Sequence, residues 1–183
     1  GAAEFGHDYL AITDHAEGPG VFGNTGLAAD EIREQADAIA DARDALADAG
    51  HGLELLHGVE TNVTADGGLS TPDDVLAELD IVIASPHAAL DQDREPATDR
   101  LVAAIEHPQT DILGHPTGRM INQRPGLSPD IDRLADAAAE SETALEINAN
   151  PSRLDLRDSA VRVAVEAGAV LAIGTDARRS GAF

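Results

Sequence analysis

Side chains that bind metals readily stand where five short apolar runs of this chain come to an end. "YLAITDH" closes on Asp14-His15, "LELLHGVE" on Glu60, "DIVIASPH" on His87, "DILGH" on His115 and "AVLAIGTD" on Asp176. A sixth run, "TALEINAN", closes on Asn148 and Asn150. Imidazole and carboxylate together suit Zn²⁺, Mn²⁺ or Fe²⁺. Carboxylates that converge on one point repel, and one takes up a proton unless a cation neutralises them. Such a cation lowers the pKa of bound water towards neutral, and paired ions stabilise both oxygens of a phosphoryl transfer. The chemistry indicated is metal-assisted hydrolysis without a protein nucleophile. A serine-hydrolase reading fails for want of a G-x-S-x-G elbow.

Those endings matter only if the runs are strands that share one direction. Between them lie amphipathic helical segments: residues 28–49, stopped by Gly50, a short one opening at "STPDDVLAEL", then "REPATDRLVAAIEH", "SPDIDRLADAAAES" and "RDSAVRVAVEAG", closed by Gly168. In "STPDD", Ser70 or Thr71 is expected to cap and Pro72 to take the first helical position. Strand-helix alternation predicts an α/β fold with a parallel sheet and helical crossovers. A doubly wound sheet shares that alternation and usually carries a glycine-rich phosphate loop, whereas a β/α barrel gathers its site at the C-terminal strand ends, where these side chains stand. The 183 residues show no linker or low-complexity run and read as one domain, 1–183.

Composition narrows the partners. Asp and Glu total 34 against 12 basic residues, all arginine, and the net charge is −22. That charge repels itself at low salt and is screened at high salt, which, with the absence of lysine, predicts a halophilic source. No cysteine is present, so any metal is held by His, Asp and Glu. No run is long and apolar enough for a membrane span and no signal peptide is visible, so a cytoplasmic protein is expected. No basic stripe marks a freestanding nucleic-acid binder.

The segments "AITDH", "GVE", "ASPH", "ILGHPTGR", "EINANPSRLDLRD" and "AIGTDA" resemble, in that order, the motifs of the PHP (polymerase and histidinol phosphatase) superfamily of metal-dependent phosphoesterases. "DILGHPTGR" and "ALEINANPSRLDLRD" are most similar to the PHP domain that follows the polymerase domain in family X DNA polymerases. The resemblance runs from Gly1 to at least Ala177 and implies a distorted, TIM-like (β/α)7 barrel with two or three divalent ions, Mn or Zn, with Fe as a further option. It also implies that a first strand bearing a His-x-His pair is missing, so that the chain is a fragment, weak or inactive alone. Carried onto this sequence, His15, Glu60, His87, His115 and Asp176 match metal ligands, with Glu60 and Asp176 at the catalytic centre. Asp14 would stand behind a ligand and orient it. Arg119 would meet a substrate phosphate or make a structural salt bridge; Asn148 and Asn150 would bind substrate or cap a turn. After "TDA" the family has histidine where this chain has Arg178, which cannot ligate. The implied function is 3'-5' exonuclease or DNA 3'-end processing, with an attached polymerase domain recruiting DNA. The alternatives are a histidinol-phosphatase-like small-molecule phosphatase and a degenerate scaffold domain.

Overall fold

Runs rich in Val, Ile and Leu that are covered on both faces form parallel strands, and helical crossovers return the chain each time. A computed structural model, which describes residues 2–19 and 25–177, shows this pattern throughout. A short helix α1 (Ala2–Phe5) leads into β1 (Tyr9–His15), followed by α2 (Ala29–Asp48), β2 (Glu54–Asn62), α3 (Asp73–Leu76), β3 (Ile81–Ser85) and α4 (Arg94–Ile105). Then come β4 (Ile112–Leu113), α5 (Ile131–Ser141), β5 (Ala144–Asn148), α6 (Asp158–Ala167) and β6 (Leu171–Gly174). The six strands pair in chain order, all parallel, with β1 and β6 at the edges of one curled sheet.

Register brings the strand ends to one side. His15 lies beside Glu60, Asn62 beside Ser85 and Asn148 beside Gly174. The polar endings therefore open on one rim.

The core answers the scarcity of aromatics. Alanines do much of the packing: Ala97, Ala104, Ala135, Ala138 and Ala164 are fully buried with Leu101, Leu113, Leu134 and Leu145 between α4–α6 and the sheet. Small side chains let the helices lie close, so the leucines fill the interior without large rings. A second cluster, Ile32, Val59, Val75, Leu76 and Val82, seats α2 and α3 on β1–β3.

Three local expectations change. The segment after Ser70 yields only the one-turn α3; Pro72 is its cap residue, and the Thr71 hydroxyl turns instead to Thr61 at 2.8 Å. α5 begins at Ile131, where the Asp130 carboxylate accepts from the Arg133 amide. β4 shrinks to two residues, because His115 has φ 26°, in the left-handed region, and the chain turns there. Among the described residues no helix is long and apolar enough to cross a membrane.

Candidate metal centre

Glu60 sits at the middle of the rim, and three imidazoles converge on it. His15 Nδ1 lies 3.1 Å from Oε2, while His115 Nε2 at 3.0 Å and His87 Nε2 at 3.3 Å both meet Oε1. Ring centroids of His15 and His87 are 5.2 Å apart and those of His87 and His115 5.0 Å, each pair edge to face. Burial alone would raise the Glu60 carboxyl; hydrogen bonds from His115 and His87 and the fields of His115 and His15 outweigh it and hold the pKa well below the ordinary range. Burial pulls His87 the other way, towards the neutral ring, against the attraction of Glu60. An ionised carboxylate enclosed by three imidazoles is a donor set suited to a cation. One ligand atom from each of His15, Glu60 and His87 lies within 4.8 Å of the others. Nδ1 of His115 is also buried, with no hydrogen-bond partner among the described residues.

Two residues behind the cluster escaped the sequence reading. Asn62 Oδ1 lies 2.7 Å from His87 Nδ1, while its Nδ2 donates to the Ala16 carbonyl at 3.1 Å. With its amide so committed, Asn62 can only accept from the ring. With the ring neutral it would thereby favour the proton on Nδ1, so that Nε2 gives up its contact with Glu60 and offers a lone pair to a bound cation. The signal was available: Asn62 follows Glu60 by two residues, and alternate residues of a strand share a face. The second is Glu146, buried in β5, whose Oε2 accepts from the His115 amide at 2.6 Å. A Cβ at Gly174 would overlap Glu146 Oε1, so the glycine of "AIGTD" leaves room for this carboxylate. Burial, opposed by His115 and assisted by Glu60, raises the Glu146 carboxyl above its ordinary value. An acid inside the apolar run "TALEIN" was the cue.

The remaining expected residues divide. Asp14 follows the opposite face of β1 from His15; it is exposed and accepts from Gln35 of α2 at 2.7 Å, and among the described residues it bonds to none of the clustered imidazoles. Asp176 has φ 50° beyond β6 and stands beside Asn150, whose Nδ2 lies 3.5 Å from Oδ2, and beside Arg153 at 3.8 Å. Asn148 accepts from the Asn150 amide at 3.1 Å, and Asn150 from Ser152 at 3.0 Å; both carboxamides shape the turn after β5. Among the described residues Arg119 makes no salt bridge. It donates from Nε to the Arg153 carbonyl at 2.8 Å and from Nη2 to Leu154, tying the loop after β4 to the loop after β5. Arg178 lies outside the described residues.

Fold and cluster together define an α/β protein of the TIM-like type with a nitrogen-and-oxygen metal centre at its strand ends. Relatives are consistent with that class. The "DNA polymerase/3'-5' exonuclease PolX" of Bacillus subtilis (strain 168) is 45% identical over 172 residues, covering 94% of this chain and 29% of that protein. The "Probable phosphatase TTE1963" of Caldanaerobacter subterraneus subsp. tengcongensis is 33% identical over 189 residues, 94% of this chain and 65% of that protein. A solved structure of histidinol phosphate phosphatase from Lactococcus lactis subsp. lactis, complexed with zinc, L-histidinol and phosphate, superposes with a TM-score of 0.52 at 14% identity, over 96% of this chain and 76% of that one. No family model matches the chain. The chain belongs to the PHP (polymerase and histidinol phosphatase) superfamily.

Proposed function

We propose that this chain is a phosphoester-hydrolysing domain that works with divalent metal, and that its substrate in the intact protein is a DNA 3' end, removed in the 3'-5' direction. The observation that carries the proposal is the convergence of His15, His87 and His115 on one ionised, enclosed Glu60. His15, Glu60, His87 and His115 would hold the ions, Mn or Zn, with Asp176 joining from the far side of the rim. Bound there, divalent ions supply Lewis acidity and activated water at neutral pH. The chain's own work is positional. Asn62 would favour the His87 proton on Nδ1, the Glu146 carboxylate accepts from the His115 amide, and the burial of His87 and His115 limits the water around the cluster. DNA as substrate is favoured by the 45% identity to PolX; the chain spans 29% of that protein's length, which leaves room for a polymerase domain to deliver DNA.

A second reading, a small-phosphomonoester phosphatase, is favoured by the TTE1963 relative and by the histidinol phosphate phosphatase that shares the fold. One experiment separates them. Full-length protein with Mn²⁺ is given a 5'-labelled oligonucleotide and, in parallel, histidinol phosphate. Stepwise shortening from the 3' end, lost in Glu60→Gln, supports the first reading. Release of phosphate from histidinol phosphate with the oligonucleotide left intact supports the second. Inactivity towards both in a metal-loaded protein would support a scaffold.

A further inference from the structure

The described arginines differ in their partners. Arg33, Arg43, Arg94 and Arg133 each meet one or more carboxylates at 2.7–3.3 Å. By contrast Arg119, Arg124 and Arg157 pair with no carboxylate among the described residues, although the chain carries 34 acids. These three line one open cleft of about 410 Å³, walled by the loop after β4. Arg153 stands between that cleft and the metal rim. It is buried, its Nε comes within 3.8 Å of Asp176, and its buried Nη1 has no hydrogen-bond partner among the described residues. Its charge acts on His87 on one side and on Arg124 on the other. The two loops carrying these groups are fastened together, Ile121 N to Ser152 O at 2.7 Å.

Arg124 and Arg157 meet no carboxylate among the described residues, and Arg153 keeps a buried donor unmet, so an anion entering the cleft would find guanidinium donors to bind it. A chain of phosphates can meet guanidiniums spread along a cleft one after another, which a single phosphomonoester cannot. The residues lining the cleft include no aromatic ring on which a base could stack, so recognition would be of backbone and not of sequence. We infer that this cleft is a docking track for the phosphodiester backbone of a single-stranded nucleic acid whose 3' end enters the metal rim. The inference rests on the DNA reading above and names the surface that makes it possible on a chain of net charge −22.

The test is binding without metal or turnover, so that the track and the hydrolysis stand or fall separately. Binding of labelled (dT)8 to the protein is followed across a salt series for the natural chain, R124S/R157S and R124K/R157K. The serine pair is expected to weaken binding about tenfold or more and to lower the salt slope by roughly 1.4, about 0.7 for each phosphate that is no longer neutralised. The lysine pair is expected to retain most of both. Should the double serine variant fold poorly, Arg157→Ser alone, on an exposed side chain, should lower the slope by about half as much. Unchanged affinity and slope in the serine variants would overturn the track. So would an octaglutamate peptide that competes as well as unlabelled (dT)8. A protein that binds (dT)8 through these arginines yet never shortens it would keep the track and remove the exonuclease.

Discussion

His87 reaches the centre through one ring nitrogen because the other is already engaged by Asn62. Removing that engagement frees the ring to change tautomer and to rotate. Asn62→Ala is therefore expected to weaken metal binding about 10–100-fold, the usual effect of losing a group that orients a ligand. Titration with Mn²⁺ or Zn²⁺ measures it, and an unchanged affinity would show that Asn62 only braces β2. The ligand candidates themselves were legible in the sequence, since each stood at the end of an apolar run. Asn62 and Glu146 left only a spacing and an acid in an apolar run as cues, because their meaning depends on what stands opposite them. Glu146 matters only through the strained turn at His115 and the missing side chain of Gly174. Asp14 misled in the opposite direction: adjacency to His15 in sequence means opposition across a strand.

At the scale of elements, strand order and direction could be read from alternation, whereas the loops that carry the ligands could not. His87 lies in the loop between β3 and α4, and a buried arginine on α4 fixes that loop's path. Arg100 donates to the carbonyls of Val63, Ala88 and Ala89 and to Gln92, at 2.9–3.2 Å. In sequence it looked like one more polar residue of an amphipathic helix; in the fold it is 2% exposed. Arg100→Met keeps the stem but strands those acceptors. The expected loss is about 1–3 kcal/mol of unfolding free energy, read from the denaturant midpoint. A midpoint unchanged within error would mean the carbonyls find other partners. The fastening of the β4 and β5 loops by Arg119 was equally hidden, because a charged side chain bonded to distant carbonyls leaves no local pattern.

The whole molecule carries a net charge of −22, and only part of its acid is neutralised by surface ion pairs. Raising salt from about 0.1 M to 1 M shortens the screening length from roughly 10 Å to 3 Å. The melting temperature is therefore expected to climb with KCl, each ~1 kcal/mol of relieved repulsion adding about 2–4 °C for a chain of this size. A melting temperature that is flat or falls over that range would mean the charges are already compensated. The sheet meanwhile gathers residues from β1, β2 and the ends of β3 and β4, as far apart in sequence as His15 and His115, around one carboxylate. That convergence is the central claim, and metal analysis of the purified protein after Mn²⁺ or Zn²⁺ loading and dialysis tests it most directly. Retention of at least one ion per chain by the natural protein, and its loss in a folded Glu60→Gln variant, is the expected result. Equal metal content in the two proteins, or none in either, would contradict the account.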